Sequence, residues 1–492
     1  MEKKKLTLIP LILMIFTSVF GFTNMPRSFF LMGYAAIPWY VISAITFFIP
    51  YAFMMAEFGA AFKDEKNGIY TWMEKSVSPR YAFVGIFMWY ASYVIWMVNI
   101  CSSIWIPLSN FIFGQDKTQT WRFLGMNSTQ FIGVLGVLWI ILVTLISTAG
   151  LKGITKFTSV GGTAVALLNV VLLVGAVVVL IGNKGELLEP IRGAKSFISS
   201  PNPSYSGLLS TLSFLVFAIF AYGGLEAVGG LVEDTHESHI TFPKAVTISA
   251  IIIAIGYSLG IFFCGVFINW GDRLSGNNVN MANVGYIVMN NFGYEIGKVF
   301  GLAESVCTQV GEWTARFMGL SMFLALTGAF FTLSYSPLKQ IVMGTPEKIW
   351  PKSFMKTKNN IPTTAAWVQC TIVSIIVILV SFGGEAAEQF FKKLVLMTNV
   401  AMTLPYLFLA GAFISFKSKE EIHKPFQIYK SKVMVVVATV LTVLTVGFAN
   451  IFTIIEPSFS GNWDNTVWMI AGPLVFSLTA LWLYSRYEKK IG

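Results

Sequence analysis

Long apolar segments alternate with short polar ones along the whole 492-residue chain. Each apolar segment has about 20 residues or more, the length that an α-helix needs to cross a bilayer. The pattern predicts twelve transmembrane helices, at residues 8–32, 36–58, 82–112, 129–149, 157–182, 206–232, 244–269, 311–336, 364–383, 393–416, 433–455 and 466–485. Lipid requires that backbone polar groups be satisfied internally, so we expect an all-α integral membrane protein.

The charges of the chain indicate how these helices are oriented. The chain carries 34 Lys and Arg against 24 Asp and Glu, a net charge of +10, and 23 of those basic residues fall on the predicted side of the N-terminus. An excess of Lys and Arg marks cytoplasmic loops. We therefore expect a multi-pass protein of the bacterial inner membrane with both termini in the cytoplasm, and we do not interpret the charge as a nucleic-acid site.

Two of the predicted helices contain residues that interrupt a helix. The first has Thr17 to Gly21 followed by Asn24 and Pro26, and the sixth has Gly223, Gly224 and an ionisable Glu226. Interrupted segments at matching positions in two halves are typical of transporters built from inverted repeats. The pattern predicts a LeuT-like 5+5 inverted repeat with broken helices 1 and 6. The alternative is that the glycines are small residues for close helix packing.

This interpretation divides the chain into a transporter core and an addition. Residues 1–416 form the core of ten helices, with repeats at about 8–182 and 206–416, and residues 433–485 form two additional helices.

Several short motifs in their order and spacing resemble a known superfamily. The motifs are Ala56-Glu57-Phe58, Asn67 to Trp72, Ser78 to Phe83, Gly223 to Glu226 with Glu233 and Pro243, Trp313 to Arg316, Ser336 to Lys339, Trp350-Pro351, Asn360 to Pro362 and Gln369. Together they resemble the amino acid–polyamine–organocation (APC) superfamily of permeases, and within it the bacterial glutamate/γ-aminobutyrate antiporter family. The chain ends seven residues after Ser485, without the long C-terminal plug of the acid-resistance antiporter. We therefore expect an uncharacterised permease branch of that family.

An amino acid could bind to the backbone groups that the two breaks release. Amides at the start of a helix suit a carboxylate, because they carry the positive end of the helix dipole. Ser18, Val19, Phe20 and Gly21 are predicted to supply them. Carbonyls at Phe217, Ala218 and Phe220 are predicted to face the ammonium group, and the resemblance implies the same arrangement. Gly223, Tyr222 and Asn99 complete the predicted substrate site, with Trp96 and Trp313 as further candidates for its lining.

The chain departs from the family pattern at two places in this site. The small GSG triplet of helix 1 is here Val19-Phe20-Gly21, which narrows the space beside the backbone. The glutamate that the antiporter carries in helix 8 is here Ala329. For that reason glutamate itself is not carried over as the expected substrate.

The aromatic side chains Phe220 and Tyr222 are candidates for a gate over the substrate. The alternative for both is ordinary packing, because 15% of the chain is aromatic.

Two charged residues in the helices are candidates for gating or proton-linked roles. Glu226 could hold a proton, because a desolvated carboxylate has a raised pKa; it could equally brace the broken helix by hydrogen bonds. Arg316 could pair with Glu312 or Glu304, or attract anionic substrates. Its alternative role is that of an interfacial arginine whose charged end reaches toward water.

The resulting prediction is a secondary amino acid transporter, an antiporter or proton-coupled permease, that works by alternating access. Its partners are an amino acid and the lipid bilayer, and whether it forms a homodimer is left open. The rivals are a polyamine or other organic-cation carrier and, from another class, a membrane channel. The sequence has no phosphate-binding loop, zinc-hydrolase signature or nucleophile elbow, so no ATP, metal, cofactor or enzyme activity is predicted.

Overall fold

The computed structural model describes residues 5–65, 68–358 and 361–491. Asn67 and Asn360, which belong to two of the motifs above, lie outside these residues. The described helices are α1 Leu8–Val19, α2 Asn24–Met32, α3 Ala36–Ser43, α4 Ile49–Ala61, α5 Gly68–Ser76, α6 Pro79–Ser103, α7 Trp105–Phe113, α8 Ser128–Thr148, α9 Leu151–Gly182, α10 Leu208–Phe220, α11 Ser238–Phe267, α12 Trp270–Arg273, α13 Val284–Val299, α14 Glu304–Gly344, α15 Thr363–Phe382, α16 Gly384–Ala401, α17 Leu404–Ser418, α18 Lys432–Phe459 and α19 Trp463–Ile491.

The strand content of the described chain is small. Strands β1 Thr357–Lys358 and β2 Ile361–Pro362 pair antiparallel, with Thr357 opposite Pro362 and Lys358 opposite Ile361. The protein is therefore an all-α membrane protein, as predicted.

Eleven segments of the described residues are long and apolar enough to cross a membrane. The first, Leu8–Ala61, has 54 residues and includes both predicted helices 1 and 2. A helix of that length would measure about 80 Å, more than twice the roughly 30 Å of a bilayer core. The segment is long enough for two crossings, and the count of twelve stays a prediction.

The outer surface of the bundle is apolar at helical spacing. On α9, the side chains of Leu167, Val170, Val174, Val177 and Ile181 are all exposed. They recur every three or four residues, which places them on one face of the helix. An exposed apolar stripe of this length suits contact with lipid tails.

The interrupted helices lie in the interior. Helix α1 packs against α9, α11 and α14, and a 3₁₀ segment at Leu225–Leu231 continues the chain after α10. Every residue of that segment is buried, and it packs against α5 and α14. The two interruptions therefore lie in the protein core, away from the lipid face.

Candidate substrate site

Helix 1 breaks between Val19 and Asn24, a few residues later than predicted. Ser18 and Val19 still lie within α1, and the amide of Phe20 donates to the carbonyl of Phe16 at 2.9 Å. These amides are therefore not released for a carboxylate, which corrects the prediction for them. The released amides are those of Phe22 and Thr23, which make no hydrogen bond to another described residue.

The hydroxyl groups of Thr17 and Ser18 are hydrogen-bonded within α1. Thr17 Oγ1 donates to the carbonyl of Met14 at 2.8 Å, and Ser18 Oγ donates to the same carbonyl at 2.9 Å. Such bonds satisfy the hydroxyl groups inside a helix and often bend it. To donate to a solute carboxylate, the Ser18 hydroxyl would have to leave this bond.

Helix 6 breaks directly after Phe220, just before the predicted interrupting residues Gly223 and Gly224. The carbonyl of Phe217 accepts from the amide of Ala221 at 2.9 Å, and that of Phe220 accepts from Gly223 at 3.0 Å. These two carbonyls, predicted to face an ammonium group, are used by the turn. The carbonyl of Ala218 accepts no hydrogen bond from the described residues around the turn, so it is the one of the three that is open.

The two breaks touch each other through backbone atoms. Gly224 has φ of 109°, in the left-handed region, and a Cβ placed on it would collide with the carbonyl oxygen of Ser18. Its amide donates to the hydroxyl of Tyr406 at 3.0 Å. Only glycine permits both this conformation and this close approach.

Tyr257 on α11 links both breaks, and the sequence analysis missed it. Its hydroxyl accepts from the Gly21 amide at 2.9 Å and from Asn24 Nδ2 at 3.3 Å. It lies 3.0 Å from the carbonyl of Ala221 and 3.2 Å from that of Val19, and can donate its single hydrogen to either. The Gly21 amide, predicted to contact a carboxylate, is thus bound to a side chain.

The aromatic candidates occupy different environments. Tyr222 is 1% exposed, stacks on Phe48 with ring centroids 4.6 Å apart, and donates to the carbonyl of Tyr40. It is a packed core residue, whereas Phe220 is half-buried and makes no ring contact with another described aromatic. The ring of Phe20 packs edge-on against Tyr257 at 4.7 Å, directed into α11.

Glu226 is fully buried at the start of the 3₁₀ segment. Its Oε1 accepts from Trp89 Nε1 at 3.1 Å and from the Tyr93 hydroxyl at 3.2 Å. These bonds connect the 3₁₀ segment to α6. Its Oε2 makes no well-formed hydrogen bond to a described residue. Among those residues, no Lys, Arg or His lies within ion-pair distance of it. One oxygen therefore serves as a brace, and the other is available to a proton.

Asn99 lies on α6 two turns after Ser92. Its side chain is exposed and makes no hydrogen bond within the described chain. Trp96, one turn earlier, stacks on Phe330 of α14 with ring centroids 5.9 Å apart. The carboxamide of Asn99 thus has no partner among the described residues, and its place in the substrate site stays a prediction.

Arg316 binds backbone carbonyls in place of the predicted carboxylates. Its Nη1 donates to Phe111 O at 3.0 Å and to Ile112 O at the end of α7, and no ion pair joins it to a described carboxylate. The guanidinium lies over the ring of Trp313 at 5.5 Å, and Trp313 is 68% exposed. Arg316 thus caps the C-terminus of α7. The predicted ion pair with Glu312 or Glu304 is absent from the described residues. Trp313 does not line the site.

A buried cluster of charges lies near the segment that precedes α1. Lys339 of α14 is almost completely buried and pairs with Glu233 and, at 2.8 Å, with Asp234. The amide of Leu6 donates to the carbonyl of Asp234 at 2.7 Å, and the amide of His236 donates back to Leu6 at 2.8 Å. The segment before α1 is thereby joined to the segment after the 3₁₀ turn.

Apolar helices of membrane length, with two broken helices that meet in the core, define a polytopic membrane transporter. The sequence model of the amino acid permease family matches residues 6–476, and the chain belongs to that family. It is therefore a secondary transporter and not an enzyme, embedded in the inner membrane with a small molecule as its substrate.

Three relatives show how the similarity is distributed. The chain is 53% identical to the inner membrane transporter YjeM of Salmonella typhimurium, over 99% of this chain and 97% of the relative. It is 24% identical to the aspartate/glutamate permease AcaP of Lactococcus lactis, over 84% and 80%. It is 21% identical to the glutamate/gamma-aminobutyrate antiporter of Lactococcus lactis, over 91% and 83%.

Proposed function

We propose that the chain transports an α-amino acid by alternating access, with the solute held between the two breaks. The observation that carries this proposal is the contact of Ser18 with Gly224, which brings the end of α1 beside the turn after α10, so that both breaks open next to each other. The Phe22 and Thr23 amides would bind the carboxylate at the positive end of α2. The Ala218 carbonyl would accept from the ammonium group. The names of the two lactococcal relatives support an amino acid substrate.

Exchange of one solute for another is the proposed mode of transport. The resemblance to an antiporter family supports exchange, and the buried Lys339 cluster supplies a closed barrier on one side of the site. Alternating access requires such a barrier on one side while the other side is open. With both termini in the cytoplasm, as proposed from the loop charges, this barrier faces the cytoplasm.

Counterflow in proteoliposomes tests the function. Vesicles preloaded with one unlabelled amino acid or amine, from a panel that includes L-glutamate, L-alanine and putrescine, receive the same compound in labelled form outside. We expect a transient accumulation of label for one or more amino acids and none for putrescine. Accumulation of putrescine alone would replace the amino acid by an organic cation, and steady ion current without counterflow would indicate a channel.

A further inference from the structure

A polar cavity lies apart from the two breaks. It has a volume of about 530 Å³ and lies between α7, the loop after it, α13 and the first turns of α14. That volume is within the range of roughly 300–1,000 Å³ that small-molecule sites occupy. Six of its lining residues carry a carboxamide: Asn110, Gln115, Asn280, Asn283, Asn290 and Asn291.

Two opposite charges also line this cavity. Asp116 uses Oδ1 to accept from the Thr118 amide at 2.8 Å and its hydroxyl at 2.6 Å, so Oδ2 stays available. Arg273 makes no ion pair with a described carboxylate, and its guanidinium lies over the Tyr294 ring at 6.0 Å. Both residues line the cavity, and no ion pair joins them.

Tyr286 lies near Asp116 and near Arg27 of α2. Its phenol lines the cavity on α13, which is outside the membrane-length segments. Burial raises the pKa of Tyr286, the negative charge of Asp116 raises it further, and Arg27 of α2 lowers it. Arg27 also donates Nε to the carbonyl of Met281 at 2.8 Å. The cavity therefore borders the second half of broken helix 1, at the end opposite the Lys339 cluster.

We infer that this cavity is a second binding site, for a zwitterionic α-amino acid on its way to the break. Arg273 would bind the carboxylate by charged hydrogen bonds, and Asp116 Oδ2 would accept from the ammonium group. The side chains of Gln115 and Asn290, which make no hydrogen bond within the described chain, would add further hydrogen bonds. A diamine leaves Arg273 unmatched, and a simple carboxylate leaves Asp116 unmatched. Delivery to the break rests on the proposed function, whereas binding itself does not.

Thiol protection tests binding without transport. The four native cysteines, Cys101, Cys264, Cys307 and Cys370, are all buried. A cysteine introduced at the exposed lining position Ala282 would therefore be the accessible thiol for a membrane-impermeant maleimide. Its matched control is Asn277→Cys, exposed in the same loop but outside the lining.

L-alanine and L-glutamate are expected to slow labelling of the Ala282→Cys variant and leave the Asn277→Cys variant unchanged. Adding Arg273→Gln should raise the concentration needed for half protection by roughly tenfold, the loss of one charged hydrogen bond. Protection by neither amino acid, or by putrescine in their place, would overturn the inference.

Transport kinetics supply the second readout. Arg273→Gln should raise the KM for external substrate by roughly tenfold and leave the KM for internal substrate and the maximal rate unchanged. Arg192→Gln, an exposed arginine in the predicted loop between helices 5 and 6, is the control and should change none of them. Suppose that counterflow occurs, that Arg273→Gln leaves the external KM unchanged and that no amino acid protects Ala282→Cys. That result would disprove the cavity site and leave the proposed transport function standing. Protection without any counterflow keeps the cavity site and removes the proposed function.

Discussion

The hydroxyl of Tyr257 joins both broken helices through one oxygen atom. It satisfies the Gly21 amide and the Asn24 side chain, and it lies within reach of the Val19 and Ala221 carbonyls. Removing one partner from a buried hydrogen-bond group leaves the others unsatisfied, at about 1–3 kcal/mol for each. The relative positions of the two breaks therefore depend on a residue of α11.

Tyr257→Phe is expected to lower stability by roughly 1–3 kcal/mol and to slow counterflow, because the Gly21 amide and the Asn24 side chain lose the hydroxyl that joins them to α11. Thermal unfolding in detergent and the initial rate of counterflow measure the two effects. Tyr487→Phe is the control, since the Tyr487 hydroxyl makes no hydrogen bond within the described chain. Equal melting temperatures and rates for the two variants would show that the hydroxyl does not position the breaks.

Glu226→Gln separates the two roles of that residue. Glutamine keeps an oxygen for Trp89 and Tyr93, so we expect unfolding to change by no more than about 1 kcal/mol. It cannot exchange a proton, so the dependence of counterflow on pH between about 5 and 8 should flatten if the carboxyl is proton-linked. Glu304→Gln, an exposed position at the start of α14, should keep the wild-type profile. If the pH dependence of counterflow is unchanged in Glu226→Gln, the proton-linked role is excluded and only the structural role of Glu226, its hydrogen bonds to Trp89 and Tyr93, remains.

The breaks could be predicted from the sequence better than the residues that line them. Gly223, Gly224 and Pro26 break a helix for local reasons, so their effect is visible without a structure. The helix α1 continues to Val19, so of the four expected residues only Phe20 and Gly21 lie in the break. Tyr257 lies 236 residues from Gly21 along the chain, and in its apolar helix no local pattern distinguishes it from a packing residue.

The turn after α10 depends on the absence of a side chain at Gly224. Its φ of 109° strains any L-residue with a Cβ, and the added atom would meet the Ser18 carbonyl, which is backbone and cannot rotate away. The two broken helices are therefore held at a separation that only a glycine allows.

Gly224→Ala is expected to abolish counterflow and to reduce stability by roughly 1–3 kcal/mol, through backbone strain and collision. Gly447→Ala is the matched control, because a Cβ at Gly447 of α18 meets no atom within 4 Å. That control should be neutral or more stable by up to about 1 kcal/mol, since alanine favours a helix. Wild-type counterflow in Gly224→Ala would exclude a site that depends on this contact.

The barrier near the N-terminus is the most strongly charged part of the described interior. Lys339 is 3% exposed and faces two carboxylates, Glu233 and Asp234. Removing one member of a buried pair leaves an uncompensated charge and costs about 3–5 kcal/mol, whereas an exposed pair contributes only about 0–1 kcal/mol.

Lys339→Met should therefore lower the melting temperature far more than Lys392→Met, which breaks the exposed pair of Lys392 with Glu388. Neutralising the partners as well, in Lys339→Met/Glu233→Gln/Asp234→Asn, should restore part of the loss. Tryptophan fluorescence during heating in detergent measures all three variants. If the triple variant melts below the single one, the charge pairing is not what stabilises this barrier.

The attachment of Leu6 to Asp234 and His236 has a mechanical consequence when it is taken together with the contact of Ser18 and Gly224. Two bodies joined at one point can pivot independently, but two bodies joined at two points along their length share an axis. The helix α1 and the 3₁₀ segment would then rotate together as one rigid body. That rotation would break the Lys339 cluster and move both elements beside the proposed site in the same direction.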